Sequence, residues 1–137
     1  ISLSSCGNVY RFVRPGGIWM LQSTITASDV DSGYGFGESV ALSKNGLRAV
    51  VGASGADCPT GNCGAAYVYD DQGGVLVERG RVTSPTAGTG GSGLGGAFGD
   101  SVALSGDGTV MLVAARLEDC AAGQDCGAVY VYSLPPN

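Results

Sequence analysis

The chain has 137 residues, enough for one ordinary domain or a portion of a larger one, and its hydrophobic content of 44% is that of a chain that buries a core. Seven basic residues against twelve acidic ones leave a net charge of -5, which argues against nucleic acid and against an anionic membrane surface, since both ask for a positive footprint. No apolar run approaches the roughly 18 residues that a membrane span requires, so no membrane insertion is expected.

The chain opens at Ile1 with neither an initiator methionine nor a signal-peptide pattern, and so reads as a processed product or a piece of something longer. Its first element is the strand "CGNVYRFV" from Cys6, followed by "WMLQSTIT", which mixes polar residues into an apolar pattern as an outer strand does. The run "SDVDSGYG" comes next. Its Asp29 and Asp31 form a D-x-D fragment, a weak candidate for a metal site that lacks further ligands and reads as a solvated acidic turn. In "SVALS", from Ser39, the residues Val40 and Leu42 share one face, and "KNG" then supplies a tight hairpin turn. "RAVVGA", like "VMLVAA" from Val110 in the later unit, is apolar on both faces, as a strand covered on both sides should be. Beyond Cys58 and Cys63 lies "AAYVYD", where Tyr67 and Tyr69 face opposite to Val68, and then the outer strand "VLVERGRVT". The Ser/Thr/Pro/Gly tract over residues 83–93 reads as a flexible loop of a composition that O-glycans also use; there is no Asn-x-Ser/Thr sequon. The last stretch repeats the earlier order: "FGDSVALS", the turn "GDG", "VMLVAA", the pair Cys120 and Cys126, and "AVYVYS".

That order is an internal repeat. "FGESVALSKNGLRAVVGAS" from Phe36 returns as "FGDSVALSGDGTVMLVAAR" from Phe98, and the segment "CGAAYVYD" at Cys63 has counterparts at Cys6 and at Cys126. No segment shows helical periodicity bounded by caps, so the fold class is all-β. Four short antiparallel strands per unit predict a partial β-propeller of four-stranded antiparallel blades, about two blades plus part of a third. Residues 1–35 would be outer strands of a preceding blade, 36–97 a complete blade and 98–137 an incomplete one. Blades that stack face to face crowd near their axis, where Gly37, Gly52, Ala53, Gly99, Ala114 and Ala115 supply small side chains.

The quoted pieces, over about residues 6 to 133, resemble FG-GAP repeats, which build the seven-bladed propeller at the head of integrin α chains, and are closest to the shorter variants in secreted and surface proteins of microbes. The "GAP" element departs from the pattern, reading Gly52-Ala53-Ser54 in one unit and Ala114-Ala115-Arg116 in the other. In integrin-type repeats the hairpin after the "FG" strand is an aspartate-rich cation loop. Here it is only "SKNG" and "SGDG", too short and too poor in oxygen ligands for calcium, so neither metal nor other cofactor is expected.

Five cysteines in so short a chain point to an oxidising, extracellular or cell-surface setting. Cys58 with Cys63 and Cys120 with Cys126 sit at the same place in their units, just before the tyrosine strand, and each pair can close its loop as a disulfide. A zinc site drawing ligands from both loops is the alternative. Cys6 aligns with Cys63 and Cys126, so its partner should fall at or before Ile1; it is expected to be unpaired within this chain or bonded to another one. Partners would then be other copies of this chain or the remainder of a longer propeller, with protein or glycan ligands on the loops and no nucleic acid. A structural or adhesive module is the first reading of function. A carbohydrate-binding propeller is the alternative, with Trp19, Tyr34 and Phe36 as stacking faces together with Tyr67, Tyr69, Tyr130 and Tyr132, whose repetition in register reads as strand packing. An enzyme is not expected: there is no histidine and no G-x-S-x-G element, and the acidic pairs Asp70–Asp71 and Glu118–Asp119 fall in predicted loops.

Overall fold

The structure, a computed structural model, describes residues 7–29, 34–58, 61–86 and 95–137. It is all-β: among the described residues the only helical turns are two 3-10 turns, at Pro15–Gly17 and Gly95–Ala97. The first sheet is the antiparallel hairpin β1 (Val9–Val13) and β2 (Met20–Ile25). The central sheet contains β3 (Ser39–Leu42), β4 (Arg48–Ala53), β7 (Ala65–Gln72) and β8 (Val75–Thr83) in the order β3-β4-β7-β8. Between β4 and β7 the chain makes a short side hairpin, β5 (Asp57–Cys58) with β6 (Gly61–Asn62). The third sheet holds β9 (Phe98–Leu104), β10 (Val110–Ala115) and β11 (Ala128–Ser133), again antiparallel and in sequential order. These small, open antiparallel sheets are partial propeller blades, with the central sheet a full four-stranded one.

The repeat is kept down to register. Hairpin β1–β2 reproduces β7–β8, including a bulge at Arg11/Phe12 that recurs at Val68/Tyr69. Both turns after the "SVALS" strands are built alike. Gly46 N donates to Ser43 O and Gly108 N to Ser105 O, with positive φ at each glycine. Asn45 Oδ1 accepts the Leu47 amide as Asp107 Oδ1 accepts that of Thr109. Asp107 also accepts from the Ser105 hydroxyl, and this bond, with the Thr109 amide, pulls its carboxyl pKa down to about 2.

Period-two alternation on the middle strands divides them between two cores. From β4 and β7, Ala49, Val51, Tyr67 and Tyr69 point toward the first hairpin and pack with Ile25, Ala27, Tyr34 and Phe36. Val50, Ala66 and Val68 point the other way and pack with Phe98, Met111 and Val113 of the third sheet. Each "FG" phenylalanine packs against two tyrosines: Phe36 lies edge-on 5.4 Å from Tyr67 and 6.3 Å from Tyr69, and Phe98 lies tilted 5.5 Å from Tyr130 and edge-on 6.3 Å from Tyr132.

Side-chain cover differs from face to face. Val40 and Leu42 do share a face, but they are exposed, because hairpin β1–β2 covers β4 and β7 and stops short of β3. Strand β10, read from the sequence as covered on both sides, is covered on one side only: Met111 and Val113 are buried while Leu112 on its other face is not.

What brings the sheets so close is a backbone contact between units. Gly64 pairs with Phe98 in a parallel bridge, and Phe98 N donates to Cys63 O at 3.2 Å. A Cβ on Gly64 would overlap the Phe98 carbonyl, and one on Gly99 would overlap the Ala65 carbonyl. The preceding unit does the same, with Gly7 against the Phe36 carbonyl. Both Gly64 and Gly99 also hold positive φ, at 79° and 90°. Gly64→Ala is therefore expected to cost at least about 3 kcal/mol, while Gly73→Ala, at φ 66° with open space around it, should cost about 1 kcal/mol. Urea unfolding of the two variants measures the difference, which isolates the inter-sheet contact from the backbone strain that both share.

Candidate functional site

The two disulfides sit at one position in the repeat. Cys58 and Cys63 are bonded with Cα atoms 5.7 Å apart, and Cys120 and Cys126 with Cα atoms 5.8 Å apart. Each loop folds back on its own unit: Ala56 O accepts the Gly64 amide at 2.9 Å, and Glu118 O accepts that of Gly127 at 3.0 Å. Because Cys63 O is also the acceptor for Phe98 N, the first disulfide loop roots directly in the contact between sheets. Cys6 and Asp31 lie outside the described residues.

Next to this loop, Asp29 is held by two partners. The Tyr67 hydroxyl donates to Oδ1 at 2.8 Å, and Arg81 lies 3.1 Å from Oδ2. Arg81 also donates to the Asp57 carbonyl and places its guanidinium 5.8 Å from the Tyr67 ring centroid. Tyr69 donates from its hydroxyl to Thr26 O at 3.2 Å, beside Glu78, which in turn accepts from Ser28. Burial raises the pKa of both tyrosines, with the Asp29 bond adding to it at Tyr67 and the Glu78 charge at Tyr69, so both stay protonated donors. In the third sheet Tyr130 reaches the matching segment of the preceding unit, its hydroxyl 2.8 Å from Thr86 Oγ1, and Glu118 accepts from Thr86 and from Ser84. The tyrosine strand of each unit is thus tied to the segment that leaves the outer strand of the unit before it.

Of the two acidic pairs, Glu118–Asp119 lies in a loop as read and Asp70–Asp71 does not. Asp70 and Asp71 lie on β7, and Asp70 is buried because its register partner on β4 is Arg48. Arg48 Nε and Nη2 donate to the two Asp70 oxygens at 2.7 and 3.1 Å, and Nη1 donates to Gly108 O and Pro135 O. Asp71 accepts from the Gly74 amide and from Arg11, which together lower its pKa. Glu118 is buried in the cluster with Ser84 and Thr86. The sequence carries the pairing of Arg48 with Asp70 only through strand register, which a scan for adjacent charges misses. Of the stacking candidates, Tyr34 and Phe36 are buried and present no face to a sugar, while Trp19 is exposed with Arg14 5.6 Å from its ring centroid.

Between β1 and strands β3 and β4 runs an open groove of about 320 Å³ walled by Val9, Phe12, Ile25, Val40, Leu42 and Val51. Among the described residues Arg11 is the one charged side chain in its wall, and it is paired with Asp71. Among the described residues no three Cys, Asp or Glu side chains converge as a metal site would require. The tyrosine hydroxyls and the Arg48–Asp70 pair of this region tie neighbouring units together.

Arg48 holds the Asp70 carboxyl below its ordinary value of about 3.9, so this pair stabilises the fold fully above that pH and loses its contribution as pH falls through the lowered folded value. Asp70→Asn leaves the Arg48 charge buried beside a neutral amide and is expected to cost about 3 kcal/mol at neutral pH. Its unfolding free energy should also fall less steeply than that of the wild type below about pH 4. Urea titrations across that range check both.

The model of the family described as FG-GAP repeat matches residues 19–69 and 92–132. No curated protein matches the chain. The two matched segments make up more than half of the sequence and meet at the glycine contact between the second and third sheets, and the chain belongs to the FG-GAP repeat family.

Proposed function

We propose that the chain is an extracellular structural and adhesive β-propeller module, working as part of a longer propeller or together with other copies of itself. FG-GAP repeats form β-propeller-like modules that are often adhesive or extracellular. The observation that carries the reading here is the pair of disulfides at equivalent loops, one of them rooted in the inter-sheet contact, a device of chains that fold where thiols are oxidised. Stacked sheets supply the rigid body, and the loops beside the disulfides are left to meet ligands.

Antibodies raised against the 137-residue chain are expected to label intact, unpermeabilised cells of the source, and beads coated with the protein are expected to adhere to those cells. Labelling that appears only after permeabilisation would overturn the extracellular reading, and beads that wash off like uncoated ones would overturn adhesion.

A carbohydrate-binding reading rests on exposed Trp19, whose ring Arg14 already flanks. On that reading a glycan array gives binding that Trp19→Ala abolishes; an array blank for the wild-type chain discards it.

A further inference from the structure

We propose that Asn45 is a site of self-modification: in the folded chain its side-chain amide becomes a carboxylate, with loss of ammonia, through attack by the backbone nitrogen of Gly46. This chemistry is independent of the structural and adhesive reading.

Of the asparagines Asn8, Asn45, Asn62 and Asn137, only Asn45 precedes a glycine. No side chain therefore stands between the following amide nitrogen and the Asn45 Cγ. The turn also activates that carbon. Asn45 Oδ1 accepts from the Leu47 amide at 3.0 Å and from the Ser43 hydroxyl at 2.7 Å. Two donors on one carbonyl oxygen hold the negative charge that it takes on when its carbon is attacked, as an oxyanion hole does. The Gly46 N–H is bonded to Ser43 O at 2.9 Å. That one bond opens to free the nitrogen, a local event that exposed turns undergo readily. Asn45 is exposed, and the exposure belongs to the turn itself. Its counterpart Asp107 is exposed as well, although Lys44 and Arg48 of the unit before it pack on its turn.

The step balances with water as the only reagent. Gly46 N bonds to Cγ and gives up its proton to water, the Cγ–Nδ2 bond breaks, and Nδ2 leaves as ammonia with a proton taken from water. A second water opens the cyclic imide at Cγ, which restores the peptide bond to Gly46 and leaves a carboxylate.

The repeat shows that this product fits. The later unit carries Asp107 at the matching place, and the two turns agree bond for bond. Asp107 Oδ1 accepts from the Thr109 amide at 3.0 Å and from the Ser105 hydroxyl at 2.6 Å, while Gly108 N donates to Ser105 O at 2.9 Å. Ser43 Oγ and Ser105 Oγ accept matching amides, those of Arg48 and Val110. A carboxylate at position 45 thus enters a frame already built for one and adds a negative charge to an exposed turn. Opening of the imide at its main-chain carbonyl would instead lengthen the backbone by a carbon and break the bonds from Gly46 and Leu47, so the fold favours the carboxylate.

Incubation of the folded 137-residue chain in mildly alkaline buffer is expected to give a more acidic band on isoelectric focusing. Tryptic cleavage after Lys44 and mass mapping should place the change at position 45, with Asn8 and Asn62 as unmodified internal controls. Asn45→Gln should give no such band. Asn45→Asp, which is the end product, should unfold at the same urea concentration as the wild type. Ser43→Ala removes one of the two donors and should slow the reaction about tenfold. If circular dichroism shows that this variant does not fold, Ser43→Cys, a weaker donor of similar size, takes its place. A folded wild type that stays unmodified while the urea-unfolded chain reacts overturns the proposal, because the turn would then protect Asn45. A change that maps elsewhere overturns it too. An unchanged or faster rate in the Ser43 variant overturns the role of the donors, and earlier unfolding of Asn45→Asp overturns the fit of the product.

Discussion

Two β-sheets in face-to-face contact ordinarily stand about 10 Å apart, held off by their side chains. Here the units approach until backbone meets backbone, because Gly64 and Gly99 each face a carbonyl where a Cβ would have to sit. The rest of the structure follows from that approach. It lets Phe98 N reach Cys63 O, drops the Phe98 ring between Tyr130 and Tyr132, and brings Val50 and Val68 into one core with Met111 and Val113. The Cys-Gly and Phe-Gly dipeptides are thus the two sides of one joint, and the disulfide beside it keeps the loop that carries the acceptor carbonyl from fraying.

Apolar burial alone would allow the sheets to slide, since valine and alanine faces have little shape to fix a register. The polar bonds across the joint remove that freedom. Ser39 Oγ donates to Gly99 O at 2.8 Å, Lys44 N to Gly106 O at 2.8 Å, and Arg48 reaches both Gly108 O and Pro135 O while bound to Asp70. Arg48 is a buried charge whose donors are used in two directions, by a carboxylate within its own sheet and by carbonyls of the next. Breaking such a pair is costly because the remaining charge has no water to turn to.

Much of the fold was legible from the chain because the repeat displays it more than once. The alternation in "SVALS", the Asn-Gly and Asp-Gly turns and the tyrosine strands each occur in matching order, so the strand sequence and the small-residue crowding could be read directly. Side-chain cover was less legible, because it depends on what lies over a face and not on the face itself: Val40 and Leu42 have the pattern of core residues and are exposed. The polar anchors were the least legible. Asp70 sits beside Asp71 in sequence and looks solvated, yet its partner is 22 residues away on the neighbouring strand. Asp29 reads as a stray cation ligand, and its actual partners are Tyr67 and Arg81, on two other strands.

The tyrosine anchors differ between the two joints. Tyr67 meets a carboxylate from Asp29, whereas Tyr130 meets the Thr86 hydroxyl, with the carboxylate supplied instead by Glu118 from its own unit. A chain of near-identical units faces a hazard while it folds, since a strand can dock against the wrong copy of its partner and be trapped there. Exchanging the two joints would set Asp29 toward Glu118, two like charges sharing the one Tyr130 hydroxyl, and would leave Tyr67 without the carboxylate it now meets. The apolar parts of the units are nearly interchangeable, but their polar anchors are not, and the mismatch raises the energy of the swapped arrangement above that of the native order.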